Sequence, residues 1–479
     1  MKKIICLVSA AALLFLCGCK NVAEYSSDPV DLTGSYYTTS IVGTFESEES
    51  RSSDTENVSS LVSSSTVSKT EKPQKVSSDS PSAQSSSSKP KESSSSKQSS
   101  TVTSSASQPY TPSGSITYYY YDRLSDGQKV LYNTISKAIN DMQEGLIELG
   151  SCSDEDVTLA FNAVRTDHPE YFWIPISYIT KIDGNSRFIA FDYKDDKYSV
   201  SYACSREERN RMQAALNAKI SKIRSEVFKN KMGIYELELA LHDWICNNVT
   251  YVTTGELVNT AYGALVNGKA LCEGYSRAMQ ILCYEFKIPC TLVCGKATDP
   301  KTKETESHMW NVIQLDKEWY NVDATWDDDD DHGIALHNYF NVTDKQISET
   351  HTAAPDFKDI SSEAIKGGSF NFYLPKCTAT KHYFVNNEGC LLTDDNSASR
   401  TVIMDVLKKT TGKRKNYCEF YLSFGLDNSV TAESIAKSFS LLDSINMVNS
   451  SSANKIDTSK VGVALSGQTF IVFFEYEVE

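Results

Sequence analysis

Apolar and polar positions alternate in two rhythms along the chain, and the switches between them outline its elements. Leu131, Ile135, Ile139 and Met142 recur at helical spacing behind Ser125, a residue type that caps helix N-termini. A second helix is expected after Ser153, where Asp154, Glu155 and Asp156 suit the positive end of the helix dipole, and it ends near His168-Pro169. Strand-like runs follow at 174–182, 188–193 and 198–204, with Asp183-Gly184 as a turn signal. Two more helices are predicted over 206–228 and 235–248.

The strongest helical pattern lies at 271–286, where Tyr275, Met279, Leu282, Cys283 and Phe286 form one apolar stripe. After it come a strand at 290–294, a polar loop over 297–307, and two runs with β character at 308–315 and 318–325, joined by Asp316-Lys317. A further strand is expected at 337–342. Beyond about residue 366 the pattern reads helix (400–409), strand (417–424), helix (431–442) and a closing hairpin of 461–465 with 469–478 across Ser466-Gly467. No chemistry is visible in this last part, which reads as a small accessory module.

The first 115 residues follow neither rhythm. Lys2 and Lys3 precede an apolar run at 4–16 that is too short to span a bilayer, and the run ends in Cys17-Gly18-Cys19. This resembles a bacterial lipoprotein signal, which implies cleavage before Cys19 and lipidation of its thiol; a plain cleaved secretion signal is the alternative. Residues 20–115 are dominated by Ser, with runs such as 85–90, and lack the large apolar residues needed to bury a core. They are expected to be a disordered tether between a membrane anchor and the folded part, of the sort a Gram-positive-type envelope would need.

Charge and cysteine content narrow the function classes. The net charge is −15 over 479 residues, with no basic stripe interleaved with aromatics, so a nucleic-acid partner is not expected. Thirteen cysteines are present, of which Cys6, Cys17 and Cys19 belong to the leader. The others contain no Cys-x-x-Cys pair, so no zinc motif is read from them and no metal or cofactor is expected.

Candidate chemistry concentrates in 259–326. Cys272 would occupy the first turn of the helix at 271–286, where free backbone N–H groups and the helix dipole favour a thiolate. On the hairpin, any loop with an even number of residues sets His308 and Asp323 on one face, opposite or one diagonal apart. That spacing lets a carboxylate orient an imidazole, which in turn activates the thiol.

Three separated stretches then resemble one family. The runs 261–276 around Cys272, 307–311 around His308 and 319–327 around Asp323 are similar to the bacterial transglutaminase-like domain, over roughly 235–351. The resemblance implies an α+β fold with a papain-like core, in which a helix carrying the Cys packs on an antiparallel sheet carrying the His and Asp. It implies a catalytic Cys272, His308 and Asp323, and a thiol enzyme acting on peptide or carboxamide bonds by hydrolysis or acyl transfer. The expected organisation is 1–19 signal with Cys19 lipidated, 20–115 linker, 116–230 N-terminal α+β domain, 231–355 transglutaminase-like domain and 366–479 C-terminal α+β domain. Expected partners are a protein or peptide substrate, envelope material, and the membrane through the lipid anchor.

Blander readings stand beside these. A cysteine in an apolar helix often only packs, and the chain would then be a surface binding module with an idle triad. His242 reads as a helix-packing or surface residue. The acidic run 327–331 reads as a solvated loop, with Ca²⁺ ligation as the alternative.

Overall fold

The computed structural model describes residues 115–479, apart from 176, 330–331, 358–369, 427–428 and 478–479, together with one short strand at Tyr36–Thr39. The expected signal with Cys19, and the expected tether apart from Tyr36–Thr39, lie outside the described residues. Those four residues fall within the stretch expected to lack structure, yet they form β1, which pairs antiparallel with 178–181.

The described residues are α+β throughout. Helix α1 (Asp126–Asn140) begins at Ser125, whose hydroxyl accepts from the Gln128 N–H while the Gln128 side chain reaches back to the Ser125 N–H. Strand β2 (Ile147–Gly150) leads to α2 (Asp154–Asp167), capped by Ser153 as its sequence predicts. Strands β3 (Tyr178–Asp183) and β4 (Ser186–Ala190) close a sheet of order β1-β3-β4-β2. The expected strand at 198–204 is reduced to the pair Ser199–Val200.

Helices α3 (Arg206–Val227) and α4 (Ile234–Asn248) precede the central helix α5 (Cys272–Glu285). The stripe read from sequence is buried, but so is every other residue from Cys272 to Tyr284. A helix covered all round must find internal partners for its polar groups, and most of those here have one, although Glu273 Oε2 and Gln280 Oε1 are left without. Arg277 Nε donates to Glu273 Oε1 (2.6 Å), its Nη1 donates to the Arg165 carbonyl (2.8 Å), and Gln280 Nε2 donates to the Thr166 carbonyl (2.9 Å). The C-terminal end of α2 is thereby fastened across the helix that carries Cys272.

The opposite side of α5 rests on a five-stranded antiparallel sheet made of β5 (Cys290–Thr298), β6 (Thr305–Leu315), β7 (Glu318–Val322), β8 (Phe340–Val342) and β9 (His351–Ala353), in the order β8-β7-β6-β5-β9. The loop expected over 297–307 shrinks to 299–304, because Thr298 pairs with Thr305 and the two strands run on toward the turn. Strand β9 was not anticipated from the sequence.

The C-terminal part holds β10 (Leu391–Leu392), α6 (Asn396–Lys413), β11 (Tyr417–Leu422), α7 (Ala432–Ser438), α8 (Leu441–Asn449), β12 (Gly462–Ser466) and β13 (Thr469–Phe473). The single helix expected at 431–442 is two helices, broken at Ser440, whose φ of 51° is left-handed. Its sheet runs β10-β11-β13-β12. Ile471 packs against Ile334 and Leu336, joining this sheet to the loop after Asp323. One apolar cluster runs from Leu131 and Phe161 through Tyr275 and Phe340 to Phe420.

Candidate active site

Two residues of turn fix the geometry of the site. Asp316 and Lys317 both have positive φ (50° and 73°), the conformation of a tight two-residue hairpin, and they set Asn311 opposite Val322. One step further along that register Asp323 falls opposite Trp310, one diagonal from His308. The side chains meet there: His308 Nε2 lies 2.7 Å from Asp323 Oδ2. The Cys272 side chain lies near enough to the same ring to interact with it electrostatically. The structure therefore brings together all three residues named from the sequence, each at most 2 % exposed.

The helix start is held against the sheet beside them. Ser276 Oγ reaches both the Cys272 carbonyl (2.8 Å) and the Met309 carbonyl (3.0 Å), and Asn311 Nδ2 donates to the Ser276 carbonyl (3.0 Å). On another side Gly274 lets the segment 258–270 pack closely on the helix start, since a Cβ there would stand 2.4 Å from the Val258 carbonyl oxygen and 2.7 Å from Ala270 Cβ. Cys272 is the first residue of α5, so its N–H is among those with no partner inside the helix.

A fourth residue joins the site that the sequence did not reveal. His351 Nε2 lies 3.1 Å from Asp323 Oδ2, the oxygen already used by His308, and its Nδ1 lies 2.8 Å from Thr350 Oγ1. The other carboxylate oxygen, Oδ1, accepts from the N–H groups of Thr325 (3.0 Å) and Trp326 (3.4 Å). Trp310, Trp326 and Tyr339 surround His351 at ring-centroid distances of 4.7–5.2 Å, so its imidazole sits in an aromatic box.

Burial and charge act in opposite directions on these groups. Burial disfavours the His308 imidazolium, but the Asp323 charge and the hydrogen bonds to Asp323 and Cys272 hold its pKa well above the usual histidine range. Burial alone would raise Asp323; the His308 charge and the hydrogen bonds from His308 and His351 outweigh it and keep the carboxyl well below the ordinary range. For His351 burial wins, and its pKa is lowered despite the same carboxylate. One imidazole is thus poised to carry charge and the other to stay neutral, both on one carboxylate oxygen.

The remaining candidates fall elsewhere. His168 caps the C-terminal end of α2, as expected of a structural residue. His242 is fully buried on α4, in packing rather than at the surface. The expectation of a solvated acidic loop fails at Asp327. That residue is 0 % exposed and its carboxylate accepts the Tyr339 N–H at 3.0 and 3.2 Å, because the chain must fold back there to bring β8 beside β7.

No curated protein matches the chain. Among solved structures, a TGase is 13% identical with a TM-score of 0.21, over 31% of this chain and 43% of that one, so this chain spans less than half of that protein. A candidate cysteine protease from Cytophaga hutchinsonii is 15% identical with a TM-score of 0.20, over 40% of this chain and 68% of that one. Residues 221–324, which contain Cys272, His308 and Asp323 but stop short of His351, match the family model of the transglutaminase-like superfamily, and the chain carries a domain of that kind.

Proposed function

We propose that the chain is a thiol enzyme of amide acyl transfer, with Cys272 as nucleophile, His308 as the proton carrier and Asp323 as the group that orients it. The observation that carries this reading is the placement of His308 between the Cys272 thiol and the Asp323 carboxylate, with Nε2 committed to Asp323 at 2.7 Å. His308 Nδ1 takes the thiol proton as sulfur adds to the carbonyl carbon of a carboxamide or peptide bond. The tetrahedral oxyanion forms beside the start of α5, where the Cys272 N–H is a donor. Collapse breaks the C–N bond, the imidazolium gives its proton to the departing amine, and a thioester remains on Cys272.

Water then releases an acid, or a primary amine forms a new amide. Hydrolysis is the favoured outcome, since exported bacterial enzymes of this kind have no obvious lysine-rich acceptor reserved for them. The resemblance of the leader ending in Cys19 to a lipoprotein signal supports a reading in which this chemistry sits on the outer face of a membrane, tethered by the Ser-rich segment, with protein, peptide or envelope material as substrate. No helix among the described residues is long and apolar enough to cross a membrane, so the proposed attachment rests on the lipid.

The test is to incubate the full chain with glutamine-containing peptides, with and without a primary amine, and to follow products by mass spectrometry. Cleaved or deamidated peptide without amine, and lost in Cys272→Ala, supports hydrolysis. Product that forms equally in Cys272→Ala overturns the assignment.

A further inference from the structure

On the far side of Asp327 from the proposed active site, two histidines and a carboxylate converge. His242 and Asp243 come from α4, and His337 from the loop before β8. One ligand atom from each of the three lies within 4.8 Å of the others. His337 Nε2 is 2.8 Å from Asp243 Oδ1, and His242 Nδ1 is 3.5 Å from the same oxygen. His242 Nδ1 has no hydrogen-bond partner although the side chain is fully buried, an arrangement proteins seldom leave without a reason.

The nitrogens on the other side of both rings are also committed. His242 Nε2 faces Asp327 Oδ2 at 3.2 Å, with Cys246 Sγ farther off at 3.8 Å, and His337 Nδ1 is hydrogen-bonded to Glu419 Oε1 on β11. A histidine that binds a metal through one nitrogen ordinarily donates the other N–H to a carboxylate or carbonyl, which fixes the tautomer and the ring orientation. Here both rings have that second partner, and the opposite nitrogens, His242 Nδ1 without a hydrogen bond and His337 Nε2 with one, both turn toward Asp243 Oδ1.

We propose that His242 Nδ1, His337 Nε2 and Asp243 Oδ1 form a binding site for a divalent transition metal of the zinc class. Tetrahedral ligands about 2.0–2.2 Å from zinc stand about 3.3–3.6 Å from one another, so the 3.5 Å pair already fits and the 2.8 Å pair must open by about half an ångström. Two imidazoles and one carboxylate suit zinc-class ions better than Ca²⁺ or Mg²⁺, which take oxygen ligands. Asp243, Asp327 and Glu419 surround the position with three carboxylates, against which Lys415, 3.6 Å from Asp243, is the neighbouring lysine. A fourth ligand can be water, because Asp243 is 22% exposed and a cavity of about 80 Å³ lined by His337, Lys415 and Glu419 adjoins it. The metal would pin α4 to the loop before β8 and, through Glu419, to the C-terminal sheet.

The three residues that hold the ion in place are distinct from Cys272, His308 and Asp323, so the site is tested without reference to activity. The full chain is freed of metal with a chelator, dialysed against micromolar Zn²⁺ or Co²⁺, and analysed for bound metal and for its Co²⁺ absorption spectrum. The expected result is one equivalent bound, a Co²⁺ spectrum with no thiolate charge-transfer band, and a metal-dependent rise in Tm. Asp243→Ala and His337→Gln should lose affinity at least 100-fold, Glu419→Gln 10- to 100-fold, and His351→Ala should bind as wild type. Wild-type protein that retains no metal, a thiolate band, or undiminished binding by Asp243→Ala would overturn the proposal. Should one variant fail to fold, the others decide: binding weakened in Glu419→Gln and kept in His351→Ala belongs to this site, whereas binding lost in His351→Ala belongs to the cluster of His308, Asp323 and His351 and overturns the proposal.

Discussion

His351 Nε2 stands 3.1 Å from the Oδ2 atom of Asp323, sharing with His308 a single carboxylate oxygen. Two imidazoles on one oxygen divide the work. His308 carries the charge, and neutral His351, boxed by aromatic rings, supplies an N–H that helps keep Asp323 ionised.

Removing that N–H in His351→Ala should therefore weaken the orienting group without touching substrate. Turnover is expected to fall about tenfold, equivalent to about 1.4 kcal/mol, with KM little changed; His351→Gln should recover part of it. Asp323 is held below its usual range, so its contribution to stability is present above the unfolded pKa and is lost as pH falls through the folded value. In His351→Ala that loss should set in at higher pH, visible in acid unfolding followed by circular dichroism. An acid limb identical to wild type would reduce His351 to packing.

Gly295 controls where His351 sits. It pairs with both His308 and Ala353, and a Cβ there would lie 2.3 Å from the Thr352 carbonyl oxygen and 2.8 Å from the Trp310 ring. Gly295→Ala must push β9 away from β5 and draw His351 from Asp323. A loss of about 1–3 kcal/mol is expected from such overpacking, together with reduced turnover. Denaturant unfolding and initial rates check both, and wild-type behaviour in both would show that β9 yields without cost.

Glu238 predicts an alkaline weakness. It is fully buried on α4 with Asn341 Nδ2 2.7 Å from Oε2 and no partner for Oε1, and burial pushes its pKa up to about 8. A carboxyl with a raised folded pKa contributes stability that is fully present below the unfolded value and is lost as pH rises through the folded one. Stability should fall between about pH 4.5 and 8 by an amount on the order of a few kcal/mol. Glu238→Gln, nearly isosteric and unable to ionise, should flatten that slope in Tm measured against pH. An unchanged slope would place the sensitivity elsewhere.

How much of this was legible in the sequence depends on the separation of the partners. His308 and Asp323 lie 15 residues apart across a two-residue turn, and such a turn fixes the faces of both strands. Cys272 was legible because the stripe behind it marks a helix start. His351 was not, since it reaches the site only through the pairing of β9 with β5, for which a three-residue strand gives no period to read. The meeting of His242, Asp243 and His337 was not legible for a related reason. Cysteine spacing signals a metal motif within one segment, whereas His337 and Asp243 stand 94 residues apart and meet only when β8 folds onto α4. The acidic run looked solvated because charge alone does not reveal that Asp327 caps a buried turn.

The central claim is that Cys272 is activated by His308, and thiol alkylation tests it most directly. Full chain at pH 6 is treated with iodoacetamide, and the modified cysteines are counted by mass spectrometry over time, beside His308→Ala. Cys152 and Cys204 are partly exposed, whereas Cys272 is 1 % exposed, so access alone favours the first two. Burial also pushes the Cys152 and Cys204 thiols up, making them slow nucleophiles at this pH. The account predicts that Cys272 is labelled first and that this advantage disappears in His308→Ala. Labelling of Cys272 no faster than Cys152 and Cys204, and unchanged by the substitution, would contradict it.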